Sequence, residues 1–421
     1  MKKRLASLFV CVALAVGALA GLTACGGDDS IELTVWGSAA QEQTFMEMAE
    51  QFKAANPDKK YKIKFGIGEE DMAYSNVSKD VDAAADVYCY SNDQLVPLLR
   101  VGALARIGGG YLDTIKAANS EESVKSGSLA YGTADEKVYG YPFASDNGYF
   151  MFYNKDIVSD EQAKTLEGVI KACEDGNKKI GWAIDVPWYT AGWFFAFGGT
   201  YSVAYDDKYV ETSIDIDFDN ENGIKASKAI AKLTQSKAFA GKGTDNNVIA
   251  TGFTTGQMAV AVTGTWSAQH IKEVLGENYG VCKLPTVTVG EETVQLSSFR
   301  GYKLIGVNPH SKNIAEAHKL AAFLSSENMQ KTRFEKHMVG PTNKAVAQQI
   351  SEDETFAALN AQNEFAVAQT SVPSNFWEPL KNYGLNIIDD LLNEDGTGGR
   401  IAYGAQLTKM VQLIKGSVSA S

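Results

Sequence analysis

The sequence predicts an α/β protein of two domains, and three observations carry that expectation. The run Met258-Ala-Val-Ala-Val262 is short, apolar and without alternation, which is the habit of a strand buried on both faces in a parallel sheet covered by helices. Residues 31–65 read strand, helix, strand with short joints, the opening of a parallel α/β lobe. A chain of 421 residues is longer than one compact core organises.

In chain order, Ile31-Glu-Leu-Thr-Val-Trp36 alternates into an apolar end and forms the first strand. From Gln41 to Ala55, Phe45, Met48, Ala49 and Phe52 recur at helical spacing, and Asn56-Pro57 stops the helix. Tyr61, Ile63 and Phe65 alternate as a second strand. Asp80 to Ala85 has helical composition, and Asp86 to Tyr90 is a third strand leading into Ser91-Asn92-Asp93-Gln94. Two aromatic segments follow, Val138 to Ala144 and Tyr149 to Lys155, with Asp146 and Asn147 between them. Ile180 to Ile184 reads as a strand, with Trp188 and Tyr189 beside Pro187 in a loop at its end. Trp193, Phe194 and Phe197 then recur at helical spacing, which assigns them to the core. Phe299-Arg300-Gly301-Tyr302 precedes a strand, Leu304 to Val307, and helices at Ile314 to Leu324 and Asn328 to Phe334. Pro373 to Glu378 opens the last helical region, and the amphipathic segments from Leu385 and from Ile401 are scaffold, broken by Gly396-Thr-Gly-Gly399.

In open α/β sheets the ligand crevice lies beyond the carboxyl ends of the strands, where Gly264 and Trp266 stand. The glycine lets backbone approach closely, and the indole offers a flat apolar face with one donor. That pairing suits a sugar ring.

The pattern Phe253-x-x-Gly256-x-x-Ala259, then Gly264-x-Trp266, Asn278-Tyr279-Gly280 and Leu284-Pro285-Thr286, resembles a segment of maltose-binding protein and its relatives. These are the extracellular solute-binding proteins of ABC sugar importers. A second resemblance lies in Tyr139-Gly-Tyr-Pro142 with Tyr153-Asn154-Lys155, similar to the "YGLP…YYNK" crossing segment between lobes. The resemblance implies a two-lobed periplasmic-binding-protein-like fold, each lobe a sheet flanked by helices, joined by a multi-crossing hinge. It implies a first lobe of residues 31–145 with 300–350 and a second of 146–299 with 351–421, and no chemistry on the ligand.

The same resemblance implies the site. Tyr90 and Gln94 stand where the prototype has Trp and Arg, while Asp93 matches, so stacking and one carboxylate survive and a guanidinium is lost. Asp146 and Asn147 fall in the ligand-lining crossing, and one extra residue leaves open which of the two meets the ligand. Arg300 is either a cleft residue or half of an interlobe salt bridge. Trp377 falls where the family keeps a sugar-stacking aromatic, with Glu378 and Lys381 within one turn of it. With Trp188, Tyr189 and Trp266 these residues make up the expected ligand site.

Lys2-Lys3-Arg4 precede an apolar run ending Leu22-Thr23-Ala24-Cys25, which reads as a signal peptide of residues 1–24 with a lipobox and a lipidated tether of 25–30 starting at Cys25. An uncleaved membrane span is the competing reading. Losing three cations takes the side-chain charge from −12 to −15. So acidic a body excludes nucleic acid and contact with an anionic bilayer except through its lipid. The widely spaced Cys89, Cys173 and Cys282 form neither a disulfide framework nor, with four histidines, a metal pattern. No metal or cofactor is expected.

The expected protein is a monomeric oligosaccharide receptor, its favoured ligand a maltooligosaccharide or other α-glucan, held by lipid at the extracellular face of the bacterial cytoplasmic membrane and serving an ABC permease. The rivals are a cell-surface glycoside hydrolase, which would set two carboxylates about one bond, and a receptor for another solute on the same fold.

Overall fold

The structure is a computed structural model that describes residues 30–129 and 136–416. The signal peptide and the tether, apart from Ser30, lie outside the described residues. Two sheets organise the chain through ten strands: β1 Ile31–Gly37, β2 Tyr61–Ile67, β3 Val87–Ser91, β4 Tyr141–Gly148, β5 Phe150–Asn154, β6 Lys179–Gly181, β7 Met258–Thr263, β8 Tyr279–Cys282, β9 Ser298–Val307 and β10 Ala366–Ala368.

The first sheet has the order β10-β9-β3-β1-β2, with β4 also paired to β9. The expected parallel opening is present, since β1 pairs in parallel with both β2 and β3. Its core joins Leu33, Val35, Phe45, Phe52, Val87, Phe143, Ile305 and Leu320. The helix over Glu42–Ala55 buries Phe45, Met48, Ala49 and Phe52, the stripe its spacing predicts.

The second sheet has the order β8-β5-β7-β6. Every residue of β7 is buried, because Val260 and Val262 pack into one core and Ala261 into another on the opposite face. The sheet is mixed rather than parallel: β7 runs parallel to β6 and antiparallel to β5. Burial on both faces is what removes alternation, whichever way the neighbouring strands point.

Three local expectations are corrected. Asp80 to Ala85 forms turns, where the Asp80 carboxylate accepts from Ala83 N, and the helix lies earlier, at Ala73–Val77. β6 stops at Gly181, beyond which turn bonds take over from Trp182. Trp188 and Tyr189 are not in a loop, because Pro187 is the first residue of the helix Pro187–Ala196 and places both on its first turn.

The strand β9 belongs to both halves. Phe299 packs into the second core, while Ile305 and Val307 pack into the first. The chain also crosses from one sheet to the other between β4 and β5, at Tyr149. Trp193 sits deep in the second core, 1% exposed and 4.6 Å from Trp182. Trp193→Ala should therefore cost roughly 3–5 kcal/mol of stability by leaving a cavity. Denaturant unfolding of the unliganded protein checks this, and an unchanged midpoint would remove Trp193 from the core.

Candidate functional site

A crevice of about 530 Å³ lies between the two sheets, beyond the carboxyl ends of β2, β3, β6 and β7. Its two walls differ in chemistry. The wall from the first sheet carries Glu70, Asp71, Asp93, Gln94 and Lys303, and the wall from the second carries Trp188, Tyr189, Trp266 and Trp377. Asn147 and Gln369 lie between them.

The aromatic wall is built by close approach. A Cβ on Gly264 would stand 2.2 Å from the Trp266 ring, so only glycine lets the indole fold back over the end of β7. Trp266 remains 38% exposed, in contrast to Trp193, and its Nε1 donates to Asn246 Oδ1 at 3.1 Å. Trp188 lies 6.1 Å from Trp266 and 4.7 Å from Tyr149, and its Nε1 donates to Gln369 Oε1 at 2.8 Å. Trp377 opens the helix Trp377–Ile388 and packs edge-on against Phe376.

The charged wall is held from below. Gln94 lines the crevice, but its amide is committed: Oε1 accepts from Tyr74 N and Nε2 donates to Asp71 O, each at 2.8 Å. It positions the acidic segment instead of presenting a free amide. Asp93 keeps Oδ1 buried and without a partner. Burial pushes the Asp93 carboxyl up to about 6, against its own backbone and the Gln94 amide, which pull it down. Burial likewise raises Asp71, with the Glu70 charge adding to it.

Of the expected residues, Asp93, Gln94, Asn147, Trp188, Tyr189, Trp266 and Trp377 line the crevice. Five do not. Tyr90 is fully buried in β3, its hydroxyl packed against Gly140, where any Cβ would come within 2.4 Å. Asp146 is 2% exposed, and its Oδ2 accepts from Thr265 Oγ1 at 2.7 Å and Gly340 N at 2.8 Å. It is a positioning residue, tying the crossing strand to the loop that carries Trp266. Neighbouring residues of β4 point to opposite faces, and of the two Asn147 takes the crevice side. Arg300 is exposed, makes no ion pair among the described residues and faces a separate cavity of about 380 Å³ with Tyr302 and Glu122. Glu378 and Lys381 are exposed and lie outside the crevice.

Glu70, Asp71, Lys303, Asn246 and Gln369 escaped the sequence reading. Glu70 and Asp71 follow directly on β2, so the strand-end rule applied to that strand would have found them. A lysine beside the apolar run Leu304 to Val307 was a signal for Lys303. Gln369 and Asn246 carry no such mark.

Two helix-flanked sheets that wall a single crevice from opposite sides define a two-lobed periplasmic-binding-protein fold. Residues 47–360 match the model of the bacterial extracellular solute-binding proteins, and the chain belongs to that family. It is 27% identical over 405 residues to the galactooligosaccharide-binding protein of Bacillus subtilis (strain 168), covering 90% of this chain and 91% of the relative. A structure solved with acarbose is 30% identical, covers 92% of this chain and 100% of its own, and superposes with a TM-score of 0.79. The maltodextrin-binding protein MalE1 of L. casei BL23, at 20% identity, shares the fold with a TM-score of 0.74 over 92% of this chain and 99% of its own.

The raised Asp93 pKa sets a pH dependence. Because the folded-state value lies above the ordinary carboxylate range, ionising Asp93 costs the unliganded protein stability, a cost absent at low pH and complete above about 6. A ligand hydroxyl donating to the carboxylate favours the ionised form, so binding releases a proton. Affinity should rise from about pH 5 to about pH 7, and Asp93→Asn should flatten the rise. Titration calorimetry across that range checks it, and a fall in affinity would reverse the assigned donor and acceptor.

Proposed function

We propose that the protein is an extracellular oligosaccharide receptor of an ABC importer, which closes two lobes on its ligand and delivers it to a permease. The observation that carries the reading is the division of the crevice into a wall of flat aromatic rings and a wall of polar charged groups. A pyranose presents apolar C–H faces and a rim of hydroxyls, and each finds its counterpart. The crevice volume also falls within the range of about 300–1,000 Å³ usual for small-molecule sites.

A receptor accounts for the carboxylates better than a hydrolase does. Glu70, Asp71 and Asp93 share one wall and face aromatic rings, whereas hydrolysis sets an acid and a second carboxylate on either side of the scissile bond. The favoured ligand is a maltooligosaccharide, in line with the Gly264-x-Trp266 resemblance and the maltodextrin-binding neighbours in fold. A galactooligosaccharide is the second reading, favoured by the Bacillus subtilis relative.

Protein from Gly26 onward, titrated with malto- and galacto-oligosaccharides, should bind one series with a change in Trp fluorescence and leave it intact. Trp266→Ala should weaken that binding by about 2 kcal/mol or more, as loss of a desolvated aromatic anchor does. Steady release of shorter sugars would replace the receptor with a hydrolase.

The receptor is held at the membrane by lipid on Cys25. Cys25→Ala should leave the precursor uncleaved or free the body from the membrane fraction. A correctly shortened Cys25→Ala protein that stays membrane-bound would refute the anchor.

A further inference from the structure

We propose that Lys303 is a specificity-determining residue of the crevice, its ammonium donating to a hydroxyl of the bound sugar near the one that the Asp93 carboxylate accepts. The proposal rests on the oligosaccharide reading above and deepens it by naming the group that reads the sugar's rim.

Lys303 reaches the crevice from β9. The pairing of β9 with β4 shifts register on both sides of Lys303, between Gly301 and Lys303 and again between Lys303 and Leu304. Alternation along β9 sets Lys303 on the face opposite Arg300 and Tyr302. Arg300 and Tyr302, just before it, line the separate cavity instead.

Once there, the ammonium is left without an acceptor. Among the described residues the Lys303 ammonium makes no hydrogen bond or ion pair, although it shares its wall with Glu70, Asp71 and Asp93. Its Nζ stands 5.7 Å from the centroid of the Trp266 ring, within the range of a weak cation–π contact. Lys303 therefore addresses the edge of whatever lies on Trp266. Burial disfavours its charge, but the carboxylates of Glu70, Asp146 and Asp71 outweigh burial and hold it protonated. The Asp93 carboxylate supplies the matching acceptor on the same wall.

An ammonium without an acceptor and a carboxylate beside an aromatic platform are satisfied together by adjacent sugar hydroxyls. Among the described residues Lys303 is the single cation lining the crevice, against three carboxylates, so the wall selects a neutral sugar over an acidic one. A site built to hydrogen-bond a hydroxyl rejects an analogue that lacks it far more strongly than an apolar pocket rejects a missing methylene.

Calorimetric titration of the wild type, Lys303→Met and Lys303→Arg with maltotriose, β-1,4-galactotriose and the monodeoxy derivatives of each tests the proposal. Lys303→Met should weaken binding of the parent trisaccharide about tenfold or more. One monodeoxy derivative that binds the wild type poorly should bind Lys303→Met as well as the parent sugar does, and Lys303→Arg should keep part of the discrimination. If Lys303→Met does not fold, Lys303→Gln is read in the same way. Lys303→Met with wild-type affinity, or with undiminished discrimination across the monodeoxy series, overturns the assignment while the oligosaccharide reading stands. A wild type that binds neither trisaccharide overturns both.

Discussion

Chain that passes between two sheets carries backbone groups that neither sheet can satisfy, and the rest of this structure depends on how that is met. Here a cluster of three carboxamides meets it. Asn92 donates to Gln369 O at 2.5 Å and accepts from Tyr302 N at 3.0 Å, while Gln369 N donates to Arg300 O at 2.8 Å. Gln369 Oε1 then accepts from Trp188 Nε1 and from Asn147 Nδ2, which ties the aromatic wall to the crossing. Gly301 makes room for this, because a Cβ there would lie 2.7 Å from the Asn147 amide and 2.8 Å from that of Asn92. The floor of the crevice and the junction of the two sheets are thus one hydrogen-bonded unit.

The two walls follow from what each sheet brings to its strand ends. In the first lobe β2 and β3 end in acidic and amide residues, held in place by Gln94. In the second, β7 ends in Gly264-Thr265-Trp266, and the Asp146 carboxylate grips Thr265 from the crossing strand. Asp146 links the loop that presents Trp266 to Gly340 as well, so the indole is tied through the crossing strand to the Gly340 segment. Aromatic faces on one side and unpaired charges on the other leave a gap that the protein cannot fill with its own groups.

Much of this was legible in the residues. Burial on both faces marks β7 as an unbroken apolar run, and helical spacing separates the core residue Trp193 from the crevice residue Trp266. What pattern reasoning misses is direction. Tyr90 and Asp93 stand three residues apart at the end of one strand, yet Tyr90 points into the core and Asp93 into the crevice. Asp146 and Asn147 divide in the same way, and alternation along β9 separates Lys303 from Arg300. Gln369 lies in a segment without periodicity, and only tertiary contacts reveal its role.

Small-angle scattering of the same protein, empty and saturated with the oligosaccharide it binds most tightly, reads most directly whether the two walls close on one ligand. Closure about the carboxamide cluster should lower the radius of gyration on saturation. An unchanged radius, with binding established by titration, would contradict it.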